Sequence, residues 1–385
     1  MKSVTPETKR IWDLPTRVFH WLLVGAFILA WLSQGDDRYL DIHVFAGYLM
    51  LGLFIFRIGW GFWGSHYACF NQFACGWRTV GHYLNTLLTP HRQHFIGHNP
   101  IGGWAIFVIL GLGLVVTLTG LLTLGGEEQH GPLAGLISFA WGNIFHEWHD
   151  TLAWLMLGLI SIHISGVLVE SLLHQENLIK AMITGNKMTS VDTTSVSNHS
   201  LLAISLILMV LISGGSYFRG YFTQTPEHPY LPFIGPQLPD NAIWREICGE
   251  CHLAYHPTLL PARSWQRMLK EQHQHFEEDL DLDAETLAEL HPFASNNAAE
   301  THLTEPAWQI ERSTPLNQAP LRITEIAYWQ EQHEEISKQI WQHPLVKSKS
   351  HCNACHLDAE QGTFEDAAMR LPKNTDSSQL STKPH

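Results

Sequence analysis

The sequence HDTLAWLMLGLISIH, from His149 to His163, begins and ends with histidine and is mostly apolar between them. It belongs to an apolar run long enough to cross a bilayer as a helix, which needs about 20 residues. The two histidines are 14 residues apart, so at ~100° and ~1.5 Å per residue they lie within ~40° of one helix face and ~21 Å apart. Ionisable residues inside a membrane helix are costly and usually functional. This spacing suits two haems stacked across a membrane.

Apolar stretches of similar length occur elsewhere in the first part of the chain. Four such stretches are at residues 14–32, 42–62, 101–124 and 201–218. Together with the run at 149–172 there are five. The first is too long for a cleaved signal peptide and lacks a small-residue cleavage site, so we expect it to remain as an anchor. The sequence therefore predicts five membrane helices, with the two termini on opposite sides.

The basic residues that flank these helices predict the orientation. On the side opposite the N-terminus, the only basic residues near the membrane are Arg38 and Arg219. The other basic residues near the membrane are on the same side as the N-terminus. By the positive-inside rule the N-terminus is cytoplasmic and the domain from residue 224 onward is periplasmic. The basic residues on the cytoplasmic side are Lys2, Lys9, Arg10, Arg17, Arg57, Arg78, Arg92, Lys180 and Lys187.

The net charge is concentrated in the C-terminal part of the chain. The 385 residues carry −13 in total, and from Thr223 onward 24 acidic residues face 12 basic ones, which leaves −12 there. A nucleic-acid binder would need basic residues facing phosphates, so that class is excluded. The acidic domain suggests a basic partner, and the run 277–283 is a candidate docking surface, although a solvated surface is the simpler interpretation.

Two more histidines lie in predicted membrane helices at depths that match the first pair. His20 is near the cytoplasmic start of the first helix and His43 near the periplasmic start of the second. Because the fourth helix runs from periplasm to cytoplasm, His149 is level with His43, and His163 with His20. Imidazoles alone would also fit zinc or copper, but paired histidines on neighbouring apolar helices favour two bis-histidine haem b sites.

Other residues near these histidines allow two further expectations. His146 is 17 residues from His163, which rotates it ~100° off the shared face, so we expect a structural role for it. Small residues next to the ligands would leave room for a flat macrocycle, although they would equally serve helix packing. They are Gly47, Gly158, Ser161, Ser165 and Gly166.

The periplasmic part contains two Cys-x-x-Cys-His motifs. They are CGECH, with Cys248, Cys251 and His252, and CNACH, with Cys352, Cys355 and His356. In a c-type haem motif the thiols form thioethers and the histidine is the proximal iron ligand. The alternative is a Cys₄ zinc site, which two motifs that each end in histidine make much less favourable.

Each covalent haem needs a sixth ligand, and residue type alone does not select it. The candidates in this domain are His228, His256, His273, His275, His291, His302, His333, His343, His351, His385, Met268 and Met369.

The membrane part resembles the bacterial cytochrome b561 family, which includes the b-type subunits of membrane hydrogenases. The matching residues cover about 10–185 and are RVFHW from Arg17, HVFAGY from His43, FRIGWGFWGSHYACF from Phe56, GHNPIGGW from Gly97, and the segment from His149 to His163. The resemblance implies four-helix haem b proteins that exchange electrons with membrane quinone. Cys69 departs from it, since related chains often have Arg there, and we expect Cys69 and Cys75 to be reduced thiols without a catalytic role.

The C-terminal part resembles the bacterial dihaem cytochrome c family over about 244–372. The matching stretches are CGECHLAYHPTLLPARSWQRML, HF at His275, PLRITEIAYWQEQH ending at His333, and KSHCNACHLDAEQGTF. The resemblance implies that His275 and His333 are the distal ligands, and leaves open which of them serves which haem. His256 is expected to be structural, because it lies only a turn from an attachment motif.

Together these features predict an all-α protein with a membrane helical bundle and a mostly helical, loop-rich dihaem cytochrome c domain. We expect a cytochrome b561-like domain at 10–185, a linker with the fifth helix at 186–223, and the periplasmic domain at 224–385. The predicted function is electron transfer from quinol through two b haems and two c haems to a soluble periplasmic acceptor, either a basic cytochrome or a small haem protein, across the bacterial inner membrane. The alternatives are a quinone-linked oxidoreductase acting on superoxide or a ferric complex, and a haem redox sensor. Whether the chain is an enzyme stays open.

Overall fold

The computed structural model describes residues 7–87, 93, 95–189, 193, 195–225, 230, 233 and 235–372. Lys2, Arg92, His228 and His385, which the sequence analysis named, lie outside the described residues. The predicted all-α class is confirmed. The helices are α1 (Leu14–Ser33), α2 (Leu40–Trp63), α3 (Trp77–Leu87), α4 (Pro100–Gly126), α5 (Phe139–His174), α6 (Leu178–Thr184), α7 (Ser200–Tyr217), α8 (Arg219–Thr223), α9 (Ala242–Cys248), α10 (Ala262–Lys270), α11 (Ala284–Asn296), α12 (Glu305–Ser313), α13 (Ala327–Gln332) and α14 (Lys338–Trp341).

As predicted, five helical segments of the described chain are long and apolar enough to cross a membrane. They are α1, α4, α5, α7 and the 27-residue segment Asp37–Trp63, which contains α2. The main difference is α5, which begins at Phe139 instead of His149 and has 36 residues. The segment before His149 contains the polar His146 and Glu147, and polar residues that interrupt an apolar run do not end a helix. The chain is a membrane protein.

Capping residues fix where the first and third membrane helices begin. The Asp13 carboxylate accepts a hydrogen bond from the backbone N–H of Thr16, with Pro15 in the first turn of α1. Asn99 accepts one from the N–H of Gly102 at 2.6 Å, directly before α4. These are the arrangements that satisfy free N–H groups at a helix start.

A small antiparallel sheet ties the start of the chain to the segment after α5. Strand β1 (Glu7–Arg10) pairs with β2 (Asn186–Thr189), in a register that places Arg10 opposite Asn186. The backbone N–H groups of Ile11 and Trp12 also donate to the Gly185 carbonyl. We call this side of the bundle, where α1 begins, the N-side, and the opposite side the C-side.

The C-terminal part packs short helices around one apolar core. Trp244, Trp265, Leu260, Leu290 and Ile310 are buried in it, and the Trp244 and Trp265 rings meet edge to face at 5.2 Å. Residues 262–270 form α10, and a short 3₁₀ turn follows at 272–274. The segment 323–341 is divided among another 3₁₀ turn, α13 and α14.

The chain divides into two compact units. One contains residues 1–34, 42–120 and 145–230, and the other contains 35–41, 121–144 and 231–385. The second unit therefore includes two C-side connections of the bundle together with the C-terminal core.

Candidate haem-binding sites

The C-side histidines of the bundle face each other. The ring centroids of His43 and His149 are 5.9 Å apart. Iron held by two imidazoles at ~2.0 Å from each nitrogen would separate the ring centroids by about 6 Å. His43 Nδ1 donates to the Ala30 carbonyl and His149 Nδ1 to the Val116 carbonyl, both at 2.9 Å. Each ring thus keeps Nε2 for a metal.

The backbone next to both pairs leaves room for a flat macrocycle. A Cβ added at Gly47, one turn after His43, or at Gly158 or Gly166, which flank His163, would meet nothing within 4 Å. At Gly120, in contrast, an added Cβ would lie 2.9 Å from His149 Cε1. Gly120 therefore lets the His149 ring lie directly against α4, which the sequence analysis did not identify.

The N-side histidines are also neighbours. His20 in α1 and His163 in α5 lie within electrostatic range of each other. The Nδ1 atom of His20 is buried and has no hydrogen-bond partner. The same end of the bundle contains the buried side chain of Arg57, which sequence reasoning had used only for orientation.

The first attachment motif faces His275. Cys248 ends α9, and the His252 ring lies 6.3 Å from the His275 ring, centroid to centroid. His252 Nδ1 donates to the Leu253 carbonyl at 2.8 Å, which leaves Nε2 for iron. The distance again fits one iron between two imidazoles.

The second attachment motif faces His333. The centroids of the His333 and His356 rings are 6.2 Å apart. His333 Nδ1 donates to the Trp329 carbonyl at 2.8 Å, and the Trp329 ring stacks on the imidazole at 4.1 Å. His356 Nδ1 is buried without a partner. The question left open by the sequence thus has a geometric answer, with His275 next to the first motif and His333 next to the second.

Burial keeps these imidazoles in the form that binds iron. It lowers the pKa of His275, His333 and His356. Neutral imidazole is the ligating form. Burial also raises the pKa of the Cys248 thiol to about 12 and that of Cys352 to about 11.

The two attachment motifs are directly connected. The Tyr255 hydroxyl, three residues after His252, donates to the backbone carbonyl of Ser350, two residues before Cys352. Trp244 Nε1 in turn donates to the Tyr255 carbonyl at 3.0 Å. The core of the domain therefore fixes the distance between the two sites.

Other candidate ligands are engaged elsewhere. Both ring nitrogens of His256 have partners, the Thr258 hydroxyl and the Pro239 carbonyl, each at 3.0 Å. His273 pairs with Asp279 at 2.8 Å. Across the described residues no group of three or more His, Cys, Asp or Glu side chains could hold a metal ion, so the geometry gives the alternative Cys₄ zinc cage no support.

The matches to protein families agree with this geometry. Residues 11–185 match the family model described as prokaryotic cytochrome b561, and residues 244–364 match that of dihaem cytochrome c. Both predicted resemblances are confirmed. Haem b and haem c are the cofactors that these families hold.

Individual relatives match about half of the chain. A probable Ni/Fe-hydrogenase B-type cytochrome subunit of Azotobacter vinelandii is 27% identical in an alignment 217 residues long, which covers 47% of this chain and 89% of that protein. The probable Ni/Fe-hydrogenase 1 B-type cytochrome subunit of Escherichia coli K12 is 26% identical in an alignment 219 residues long, which covers 48% of this chain and 92% of that protein.

Solved structures match the C-terminal part. A diheme cytochrome c from Rhodobacter sphaeroides is 32% identical and is covered completely by 34% of this chain, with a TM-score of 0.30. A diheme cytochrome c from Shewanella baltica is 31% identical, with 35% of this chain covering 95% of that one and a TM-score of 0.29.

Proposed function

We propose that this chain, which joins a prokaryotic cytochrome b561 domain at 11–185 to a dihaem cytochrome c domain at 244–364, carries electrons between membrane quinone and a soluble periplasmic partner. The cytochrome b561 match and the hydrogenase b-type cytochrome relatives support transmembrane electron transfer through haems. The quinone, the partner and the bacterial inner membrane with a cytoplasmic N-side are our proposal. So are the domain limits 10–185, 186–223 and 224–385.

The observation that carries the proposal is the common spacing of three histidine pairs. Ring centroids are separated by 5.9, 6.3 and 6.2 Å in the pairs that contain His149, His252 and His356. When bound, each haem would supply a one-electron iron couple, and a pair of histidines that both hold the iron would leave no open position for a substrate. This supports transfer over the oxidoreductase alternative, in which a small substrate would react at the metal.

We assign the ligands accordingly. His43 and His149 hold the C-side haem b, and His20 and His163 hold the N-side one. His252 and His275 hold the haem attached through Cys248 and Cys251, and His356 and His333 hold the haem attached through Cys352 and Cys355.

The direction of net flow has two candidates. Flow from quinol outward is the expectation from the sequence. One observation favours inward flow to quinone. Nδ1 of each C-side ring donates a hydrogen bond to a backbone carbonyl, whereas Nδ1 of His20 has no hydrogen-bond partner. Such a bond raises the basicity of a ligand and so favours ferric iron, which gives the C-side haem b the lower potential.

Pyridine haemochrome analysis of the purified full chain tests the proposal, because it counts b and c haems separately. We expect a 1:1 ratio of b to c and four haems per chain. Cys352→Ala should remove one c haem, leave both b haems in place, and stop reduction of an external acceptor by quinol. A different ratio, or quinol-driven transfer that persists without the c haem, would refute the four-haem route.

A further inference from the structure

Arg57 is a positive charge buried inside the bundle. It lies in α2 with only 3% of its surface exposed, and its Nη1 atom is buried without a hydrogen-bond partner. Its Cζ atom lies 4.9 Å from the centroid of the Phe70 ring. An aromatic face offsets only part of the cost of burying a charge. The position therefore calls for an anion.

The carboxylate that acts on Arg57 through space already has two other partners. Asp13 attracts Arg57 through space, but its Oδ1 accepts from the Thr16 N–H at 2.8 Å and its Oδ2 accepts from Trp60 Nε1 at 3.0 Å. No ion pair joins Asp13 to Arg57 within the described part of the chain. Asp13 thus caps α1 and fixes Trp60, and leaves the guanidinium without a contacting anion.

The position of Arg57 along its helix relates it to the N-side histidines. The bond between Asp13 and Trp60 sets the level of α1 against α2. His20 is seven residues beyond Asp13 and Arg57 is three residues before Trp60, so at ~1.5 Å per residue they lie ~10.5 Å and ~4.5 Å from that bond. Arg57 is therefore ~6 Å closer than His20 to the N-side surface.

His98 relates the same charge to His163. Its ring packs between those of Trp12 and Phe73, at 4.6 and 4.5 Å, and its Nδ1 atom is buried without a partner. Burial first, and then the neighbouring Arg57, Lys187 and His163 side chains, lower its pKa to about 3. Arg57 and His163 therefore both lie within electrostatic range of the buried His98 ring.

We propose that Arg57 pairs with one propionate carboxylate of the haem held by His20 and His163. Haem b has two such carboxylates on one edge of the macrocycle, and when the iron lies at the level of His20 that edge can reach toward the N-side. The ion pair would neutralise the buried guanidinium and would keep the paired carboxylate ionised, and the second carboxylate would be the same in the wild type and in the variants. This inference rests on the proposed N-side haem site.

The test is the midpoint potential of each b haem in the full chain, followed optically between pH 5 and 9 in the wild type and in Arg57→Gln. In the wild type the charges of guanidinium and propionate cancel, so the N-side potential should vary little with pH. In the variant the propionate is neutral at low pH, where the potential should match the wild type. As pH rises the propionate ionises without a counter-charge, which favours ferric iron, so the N-side potential should fall.

Two variants serve as controls. Arg57→Lys keeps the charge and should restore a flat profile. Arg78→Gln removes an exposed arginine from the same side of the membrane and should leave both potentials unchanged. The titratable groups near this region, Asp13, Cys69, His98 and Lys187, are the same in all three variants.

The outcomes separate this inference from the haem assignment. A flat profile in Arg57→Gln that matches the wild type, or a shift also seen in Arg78→Gln, would overturn the pairing and leave the haem site intact. Loss of the N-side haem in Arg57→Gln but not in Arg57→Lys supports the pairing, because of the two variants only the lysine keeps the positive charge. Loss in both would refute it, since the guanidinium would then act through packing. Full b haem content in His20→Ala would instead refute the site itself.

Discussion

The two histidine pairs completed by α5 are held in different ways. On the C-side, the rings of His43 and His149 are each fixed by a backbone carbonyl, of Ala30 and Val116, and Gly120 admits the His149 ring against α4. On the N-side, His20 has a buried Nδ1 without a partner, and Arg57 supplies a buried positive charge nearby. One helix thus presents two equivalent ligands to unlike surroundings, which is how a protein can give chemically identical cofactors different potentials.

The largest expected effect comes from removing the α5 ligands one at a time. His149→Ala should abolish the C-side b haem, and His163→Ala the N-side one, because each leaves its iron with one axial imidazole. Low-temperature spectra and redox titration of both variants, alongside His43→Ala and His20→Ala, would show which substitutions remove the same component. If His20→Ala and His149→Ala removed one and the same component, the pairing would be wrong.

A substitution at Gly120 should affect only the C-side. In Gly120→Ala the new Cβ would lie 2.9 Å from His149 Cε1, and overpacking of this kind typically costs about 1–3 kcal/mol, or roughly a 5- to 150-fold loss in haem affinity. The measurement is b haem occupancy after detergent purification. Gly111→Ala, in the same helix but with nothing within 4 Å of the new Cβ, should retain both haems. Equal loss in the two variants would show a general effect on α4.

The difference in hydrogen bonding predicts a difference in potential. Two carbonyl partners make the C-side ligands more basic, so the C-side b haem should have the lower midpoint potential, by an amount on the order of the 59 mV that corresponds to a tenfold change for one electron. Titration of the single-haem variants His20→Ala and His43→Ala assigns each value. A C-side potential equal to or above that of the N-side would remove the argument for inward flow.

The C-side connections should also respond to pH. Burial, with repulsion among neighbouring carboxylates, raises the pKa of Glu128 to about 8 and that of Glu305 to about 7. For an acid whose pKa is raised by folding, the folded unit is most stable at low pH and loses stability as pH rises from the unfolded value, near 4.5, through the folded one. The midpoint temperature of thermal unfolding, followed at the c haems, should therefore fall between pH 5 and 8. In Glu305→Gln this midpoint should depend less steeply on pH. An unchanged slope in the variant would contradict the assignment.

The smallest effect is expected from the acidic surface at 277–283. Asp279 pairs with His273 and Asp283 caps α11 through the Thr286 N–H, so the charges free for reversal are the exposed Glu277, Glu278 and Asp281. Changing these three to Lys should slow reduction of a basic cytochrome several-fold at low salt, because rim charges act mainly on the encounter. The difference should vanish as salt shortens the screening length to ~8 Å and below. Stopped-flow rates that are equal and independent of salt would exclude acidic docking.

Much of this arrangement could be predicted from the sequence because its determinants are side chains at regular spacing. Hydropathy gave the five membrane helices, the 14-residue interval in α5 gave the two levels, and the two Cys-x-x-Cys-His motifs gave the attachment points. The partners of His43 and His149 are backbone carbonyls, which every residue has, so no pattern marks them. The pairing of His275 with the first motif could not be predicted in this way. His275 lies in the turn between α10 and α11, whose geometry depends on contacts between residues distant in sequence.

The sheet between β1 and β2 has a consequence for the order of biosynthesis. Arg10 pairs with Asn186, so β1 cannot pair until 176 further residues have been synthesised. At 5–20 residues per second this takes on the order of 10–35 s. His20 likewise waits for His163. The N-side of the bundle therefore closes only after the fourth membrane helix has entered the bilayer, and until then α1 depends on the insertion machinery, or on the lipid alone, to shield its histidine.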